Sequence, residues 1–313
     1  FRSLGGVVHR CPMSRNPWLF AGRFRRLLLQ ERYDVVHSHL YYFSGVVLRG
    51  AARAGVPQRV AHNHPVEDLK AGALVRAAYT KWMRRWMCRY GTDFVGPTRA
   101  SLESFWGPDW ESQPHKKVLY NGIQVGRFLD PVDRSAVRNE LDIPRDAKIV
   151  LNVGRFMAHK RQSFLIEVAK VLLARRADVY FLLIGDGLLR DEVEERVRDA
   201  GLMNSFRFIH GAPNIDRYWL SADVFAFPSV NEGFGIVIVE AAAAGLPAPA
   251  PLSHPGQVLH RGGRGSCRSP DSSALPPRAR ASASWSDDFS AAMGAEGIRA
   301  LLRSLDLSKE IDN

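Results

Sequence analysis

A chain of 313 residues, 46% of them hydrophobic, is long enough to form two packed domains. Its net charge of +11 comes from 43 basic against 32 acidic residues, but 35 of the 43 are Arg, a skew that gene base composition alone can produce, so nucleic acid is not expected as a partner. Cys11, Cys88 and Cys267 lie far apart without metal-ligand spacing, which argues against a disulfide framework or a cysteine zinc site, and no apolar run reaches the roughly 18 residues of a membrane span.

The first 30 residues lack the order of a secretory signal, so the expected location is the cytoplasm. The chain opens on Phe1, and residues 1–10 read as a helix end, two glycines and a strand at Val7 and Val8, as if an amino-terminal piece were missing. Short apolar runs then alternate with polar, helix-like segments: Asp34–His37, Arg59–Ala61, Asp93–Val95, Lys117–Tyr120, Ile149–Val153, Val179–Ile184, Phe206–Ile209 and Val224–Phe227. Apolar runs of this length between helices read as buried parallel strands, so the fold class is α/β with crossover helices. Phe164–Arg175 carries an apolar stripe, and Leu188–Ala200 has a charged face with Val193 and Val197 inward. Gly122, Gly126, Pro131 and Pro144 break the pattern between the two halves. The expected layout is therefore a first domain over 1–122, a linker over 123–145, a second domain over 146–247, a low-complexity segment over 248–284 and a carboxyl-terminal helix over 285–313.

Two loops carry chemistry. Gly154-Arg-Phe-Met-Ala-His-Lys160 follows a predicted strand directly and delivers Arg155 and Lys160 to the rim where open α/β sheets bind ligands; two cations there suit a diphosphate. Loop cations are also commonly just solvated. Asn231-Glu-Gly-Phe-Gly-Ile-Val-Ile-Val-Glu240 places Gly233 and Gly235 before a predicted helix, whose amino end favours anions. Glu232 reads either as a ligand contact or as the cap of that helix. Glu240 lies among apolar and small neighbours, where a carboxylate needs a polar partner.

The Gly-Arg-x4-Lys turn, Gly185-Asp-Gly187, Phe208-x2-Gly211 and the Glu-x7-Glu element occur in the order that resembles the retaining glycosyltransferases of family 4. Upstream, Asp34-Val-Val-His-Ser-His39, Gly55-Val-Pro57 with Val60-Ala-His-Asn-His64, and Val118–Ile123 with Phe128 resemble that family's first domain, so the likeness covers roughly residues 1–247. It implies the GT-B fold, two Rossmann-like domains facing a cleft, a nucleotide-sugar donor, and a glycan or lipid-linked sugar acceptor. By the same likeness Arg155 and Lys160 hold the diphosphate, assisted by Gly154 and the amides of Gly233, Phe234 and Gly235. Glu240 meets the ribose, Glu232 lies near the transferred sugar, and Phe208 to Gly211 flank the base. The family's sugar-contacting histidine falls on His62 or His64, which the spacing does not separate. With His37 and His39 these make four histidines at neighbouring strand ends. A metal reading of that group is set below the sugar contact, because Arg155 and Lys160 already supply positive charge, and no metal or other cofactor is expected.

Other readings compete. No Gly-x-Gly-x-x-Gly follows a strand, which disfavours a dehydrogenase, while an epimerase on the same fold, or an inactive homologue that only binds nucleotide, is the alternative to transfer. Lys70–Tyr90, with Trp82, Met83, Trp86, Met87 and several cations, reads as a packing helix, or as a peripheral helix at the inner membrane surface. After Pro247 the family pattern asks for a buried strand, yet Ala248-Pro-Ala-Pro251 lacks the amides for one. Of the 34 residues in 251–284, 21 are Gly, Pro, Ser or Arg, which suggests either a frame-shifted or a naturally disordered segment before helical periodicity returns.

Overall fold

The computed structural model describes residues 2–12, 17–64, 74–230 and 232–247. They form two compact units that meet in the chain between Asn121 and Gly122. The expected low-complexity segment over 248–284 and the helix over 285–313 lie outside the described residues.

In the first unit the chain runs α1 (Pro17–Glu31), β1 (Val35–Ser38), α2 (Ser44–Arg53), β2 (Gln58–His62), α3 (Leu74–Tyr90), β3 (Asp93–Gly96), α4 (Arg99–Trp106) and β4 (Lys116–Val118). The strands pair in parallel in the order β1-β2-β3-β4, and parallel neighbours need the helical crossovers that α2, α3 and α4 supply. Thr98 and Ser101 cap α4 reciprocally, each side chain accepting from the other's backbone amide. Met83 and Met87 of α3 are buried at i, i+4 spacing, whereas Trp82 stays 47% exposed, so the packing stripe belongs to the methionines. Gly45 lets α2 approach α3, since a Cβ there would fall 2.7 Å from the Met83 carbonyl. No strand forms at Val7 and Val8, which are 71% and 52% exposed. Their β-branched side chains favour extended backbone, but a strand needs a neighbour to take its hydrogen bonds.

The second unit runs α5 (Arg134–Glu140), β5 (Lys148–Val153), α6 (Phe164–Leu173), β6 (Val179–Ile184), α7 (Arg190–Asp199), β7 (Phe206–Ile209), α8 (Asp216–Ser221), β8 (Val224–Phe225) and α9 (Ile236–Ala243). Its parallel sheet has the order β7-β6-β5-β8. Alternation along the strands splits the core. Val150, Phe181 and Leu183 face one way with α6 and α7, while Ile149, Leu151, Leu182 and Ile184 face the other with α5, α8 and α9. Burial on both faces is why these strands read as continuous apolar runs.

The stretch over 123–145 is not a linker but part of this second core. It carries a 3-10 turn at Val125–Phe128 and then α5, capped by the Asp133 carboxylate, and it buries Phe128, Val137, Leu141 and Ile143 against the sheet. Arg138, 6% exposed, donates to the Arg145 and Ala147 carbonyls at 3.1 Å each and pairs with Asp223, whose carboxylate also accepts from the Ile149 amide at 2.9 Å. Glycine and proline break the segment into short pieces, but the apolar residues between them complete a face the sheet leaves open. At the other end, Phe225 donates its amide to the Pro247 carbonyl at 2.9 Å, so the chain after α9 returns beside β8.

Candidate functional site

In the second sheet the chain steps from β5 to β6 to β7 on one side and places β8 on the other, so the order reverses between β5 and β8. Open α/β sheets bind ligands outside the carboxyl ends of strands at such a point. The two loops expected to carry chemistry leave these strands. They are joined there: the Val230 amide donates to the His159 carbonyl at 2.9 Å, and the Ser229 hydroxyl donates to a Glu232 carboxylate oxygen at 2.6 Å. The Lys160 ammonium pairs with that same oxygen of Glu232, their side chains being 19% and 14% exposed. Lys160 and Glu232 are thus brought together.

The β5 loop is held from beneath. Phe156 is fully buried, donates its amide to the Asp186 carbonyl at 2.8 Å and accepts from the Leu189 amide at 3.2 Å. Gly185 and Gly187 permit this approach: at φ of 146° and 150°, a Cβ would fall 2.2 Å from the Gly154 carbonyl oxygen and 2.4 Å from that of Phe156. The buried Gln162 amide adds a bond to the Arg155 carbonyl at 3.0 Å. Arg155 is therefore fixed at its backbone, between Gly154 and the buried Phe156, with an exposed side chain. His159 is held below the usual histidine range, first by burial and then by Lys160 and Arg155, with Glu232 opposing. All three charges therefore act on one rim.

Gly235, the residue before α9, lies in the left-handed region at φ 68°. One oxygen of the Glu232 carboxylate is engaged by both Lys160 and Ser229. Glu240, half-buried on α9, has no side-chain hydrogen bond among the described residues; burial raises its pKa and the Arg127 guanidinium opposes the rise. Arg127 also pairs with Asp216 at 2.5 Å. Phe208 is half-buried beside Phe206 and Phe156, with ring centroids 6.0 and 6.3 Å away, so much of its face is taken by core neighbours. The exposed Gly211 amide donates to Asp186 at 3.4 Å, and His210 Nδ1 lies 2.6 Å from the same carboxylate, which the histidine first and the amide second hold below the usual range.

The first unit gathers the four histidines. His37 and His39 are two residues apart at the end of β1, His62 and His64 two apart at the end of β2, so each pair shares a face, and the register Ser38↔Ala61 sets one pair beside the other. Ring centroids lie 4.2 Å apart for His62 and His64 and 4.4 Å for His37 and His39, and His39 Nδ1 meets His64 Nε2 at 2.8 Å. His62 is 4% exposed, neither of its ring nitrogens has a hydrogen-bond partner among the described residues, and burial with its three histidine neighbours lowers its pKa to about 4.

Sequence reading passed over His159, Ser229, Arg127 and the Asp186–His210 pair. Ser229 was signalled only by its place in the loop before Glu232. Arg127 carried no signal, because its nearness to Glu240 depends on how the segment before α5 packs.

Two Rossmann-like units in tandem, the second with cations and an acid at its switch point, fit the GT-B fold of glycosyltransferases. Residues 133–250 match the family described as glycosyl transferases group 1, and residues 1–110 match the glycosyl transferase 4-like domain. The chain belongs to this glycosyltransferase family. Among its relatives is the UDP-Gal:alpha-D-GlcNAc-diphosphoundecaprenol alpha-1,3-galactosyltransferase of Escherichia coli, 27% identical over 71% of this chain and 58% of its own length. Another is the D-inositol 3-phosphate glycosyltransferase of Corynebacterium kroppenstedtii, 31% identical over 70% of this chain and 52% of its own length. The chain thus spans little more than half the length of either relative. The crystal structure of Anabaena HepE with UDP and glucose is similar in fold, with a TM-score of 0.63 and 23% identity over 76% of this chain and 64% of that one.

Proposed function

We propose that this protein transfers a hexose from a nucleoside-diphosphate donor to a glycan or lipid-linked sugar acceptor with retention of anomeric configuration. The observation that carries the reading is the Lys160–Glu232 pair joining the β5 and β8 loops beside the start of α9. A helix start and two neighbouring cations suit a diphosphate, and their value is greatest when charge builds on it as the sugar leaves. In this reading Arg155 and Lys160 bind the diphosphate with the backbone of Gly154, Gly233, Phe234 and Gly235. Glu232, held by Ser229 as well as Lys160, lies where the transferred sugar would sit. Glu240 accepts from the ribose hydroxyls, a role consistent with a half-buried carboxylate that has no hydrogen-bond partner among the described residues. Phe208 and Gly211 border the base, and His62 or His64 is the candidate sugar-contacting histidine.

UDP is the first nucleotide to test, because the solved HepE complex holds UDP and the name of the Escherichia coli relative specifies a UDP-sugar. A membrane-surface acceptor fits an aromatic patch on the first unit. Trp18 and Trp82 are 50% and 47% exposed and close on Trp86, with the Arg49 guanidinium 4.8 Å from the Trp18 ring and 4.3 Å from the Trp86 ring. The test is a panel of UDP-sugars with free glycan and polyprenyl-diphosphate-linked acceptors, reading released UDP and the product anomer by NMR. Acceptor-dependent UDP release with a retained anomer is expected. No saturable binding of any nucleoside diphosphate by calorimetry overturns the reading.

A further inference from the structure

We propose that the histidine cluster at the ends of β1 and β2 is a binding site for one divalent transition-metal ion of the imidazole-preferring kind, with His37, His39 and His62 as its ligands. The proposal shares His62 and His64 with the transferase reading, which takes one of them as a sugar contact, but it rests on the geometry of the first unit alone. One ligand atom from each of the three lies within 4.8 Å of the others, and among the described residues no other group of His, Cys, Asp or Glu forms such a set. Nitrogens around a tetrahedral ion are about 3.3 Å apart, given metal–nitrogen bonds of roughly 2.0 to 2.1 Å. Closing that difference falls to His37, whose ring is exposed, while the buried His62 and the His64-held His39 keep their places.

His62 supplies an independent observation. At 4% exposure, with both ring nitrogens lacking a partner among the described residues, it has given up its hydration without a replacement bond. Such a loss is costly unless another group restores it. A metal ion bound at one nitrogen would do so. His39 is prepared for the same task. Its Nδ1 is engaged by His64 Nε2 at 2.8 Å, which fixes the ring and leaves Nε2 as the donor atom, the usual way a partner orients a ligating histidine. The arrangement follows from sequence geometry, two His-x-His pairs on adjacent parallel strands, each pair on one face.

The test uses the full chain freed of metal by chelation. Zn2+ is titrated against a chromophoric competitor, and Co2+ absorption reports the coordination number. We expect one Zn2+ per chain, a tetrahedral Co2+ band, and at least a tenfold weaker affinity in His37→Ala and in His39→Ala. His64→Gln should lose affinity by about 10- to 100-fold, the scale for a group that orients a ligand. His210→Ala, in the second unit, should leave Zn2+ affinity unchanged. Zn2+ should also protect His37 and His39 of the unaltered chain from diethyl pyrocarbonate, a readout that survives any folding failure of the variants. No stoichiometric Zn2+ binding, binding indifferent to His37→Ala and His39→Ala, or no protection overturns the proposal. UDP calorimetry on the same samples separates the two readings: UDP bound without a metal site removes only this inference, and a metal site without UDP binding removes only the transferase reading.

Discussion

Replacing Gly185 with alanine tests whether the second unit positions its cationic loop by backbone contact. An alanine Cβ there would lie 2.2 Å from the Gly154 carbonyl oxygen and 2.9 Å from its carbon. Ordinary carbon contact asks for about 3.5 Å, so the Gly154–Phe156 strand exit must move by roughly 1 Å. Forcing extra volume into a packed site costs about 1–3 kcal/mol, and holding alanine at φ 146° adds about 1–3 kcal/mol of backbone strain. At roughly 2–4 °C per kcal/mol for a unit of this size, the melting temperature should drop by about 4–24 °C. The shift also carries Arg155 with it, and a misplacement of about 1 Å can cost on the order of a hundredfold in turnover. Differential scanning calorimetry reads the first effect and UDP release the second. Gly126→Ala is the control, with nothing within 4 Å of its added Cβ. A Gly185→Ala protein that melts and turns over like its parent refutes the cradle.

Arg155→Ala should lower turnover by roughly a hundredfold, the scale of losing one preorganised charge donor, with little change in melting because its side chain is exposed; kinetics of UDP release check it. Glu240→Gln should weaken UDP binding in calorimetry and also shift the pH dependence of stability. Burial raises the folded pKa of Glu240 above its ordinary 4.5, Arg127 opposing, so the folded form binds the proton more tightly than the unfolded chain and stability falls as pH rises through that interval. The substitution should therefore raise the melting temperature at pH 7 relative to the parent, with the gain fading as pH drops below about 4.5; an equal gain at every pH would sink the reasoning. Trp18→Ala combined with Trp82→Ala should reduce sedimentation with anionic vesicles several-fold without altering UDP affinity, and unchanged vesicle binding would remove the membrane-surface role of that patch.

Much of this fold was written in local patterns. The eight strands among the described residues are the eight short runs, β5 and β6 being apolar almost throughout because they are buried on both faces, and α7 keeps Val193 and Val197 inward as its period requires. Val7 and Val8 failed for the complementary reason, since extended propensity is local but a pairing neighbour is not. The stretch over 123–145 looked like a linker because glycine and proline interrupt it; that Phe128, Val137, Leu141 and Ile143 complete a core face is a property of the sheet they cover.

For the site, sequence alone determined which residue types stand after β5 and β8, since the turn glycines, Arg155, Lys160, Glu232 and the run into α9 are contiguous motifs. Only the tertiary structure decided what those residues touch. Lys160 and Glu232 are 72 residues apart and meet because β8 pairs beside β5, while Arg127 reaches Glu240 from the segment before α5. Gly185-Asp-Gly187, in the sequence only one motif of the family likeness, is in the structure the bed of the β5 loop. The four histidines show the division most clearly. Their His-x-His spacing places each pair on one face, but strand order and register bring the pairs together and leave His62 buried without a partner among the described residues. Side-chain periodicity is set by neighbours in the chain, whereas strand order and register are set by long-range packing that no local window contains.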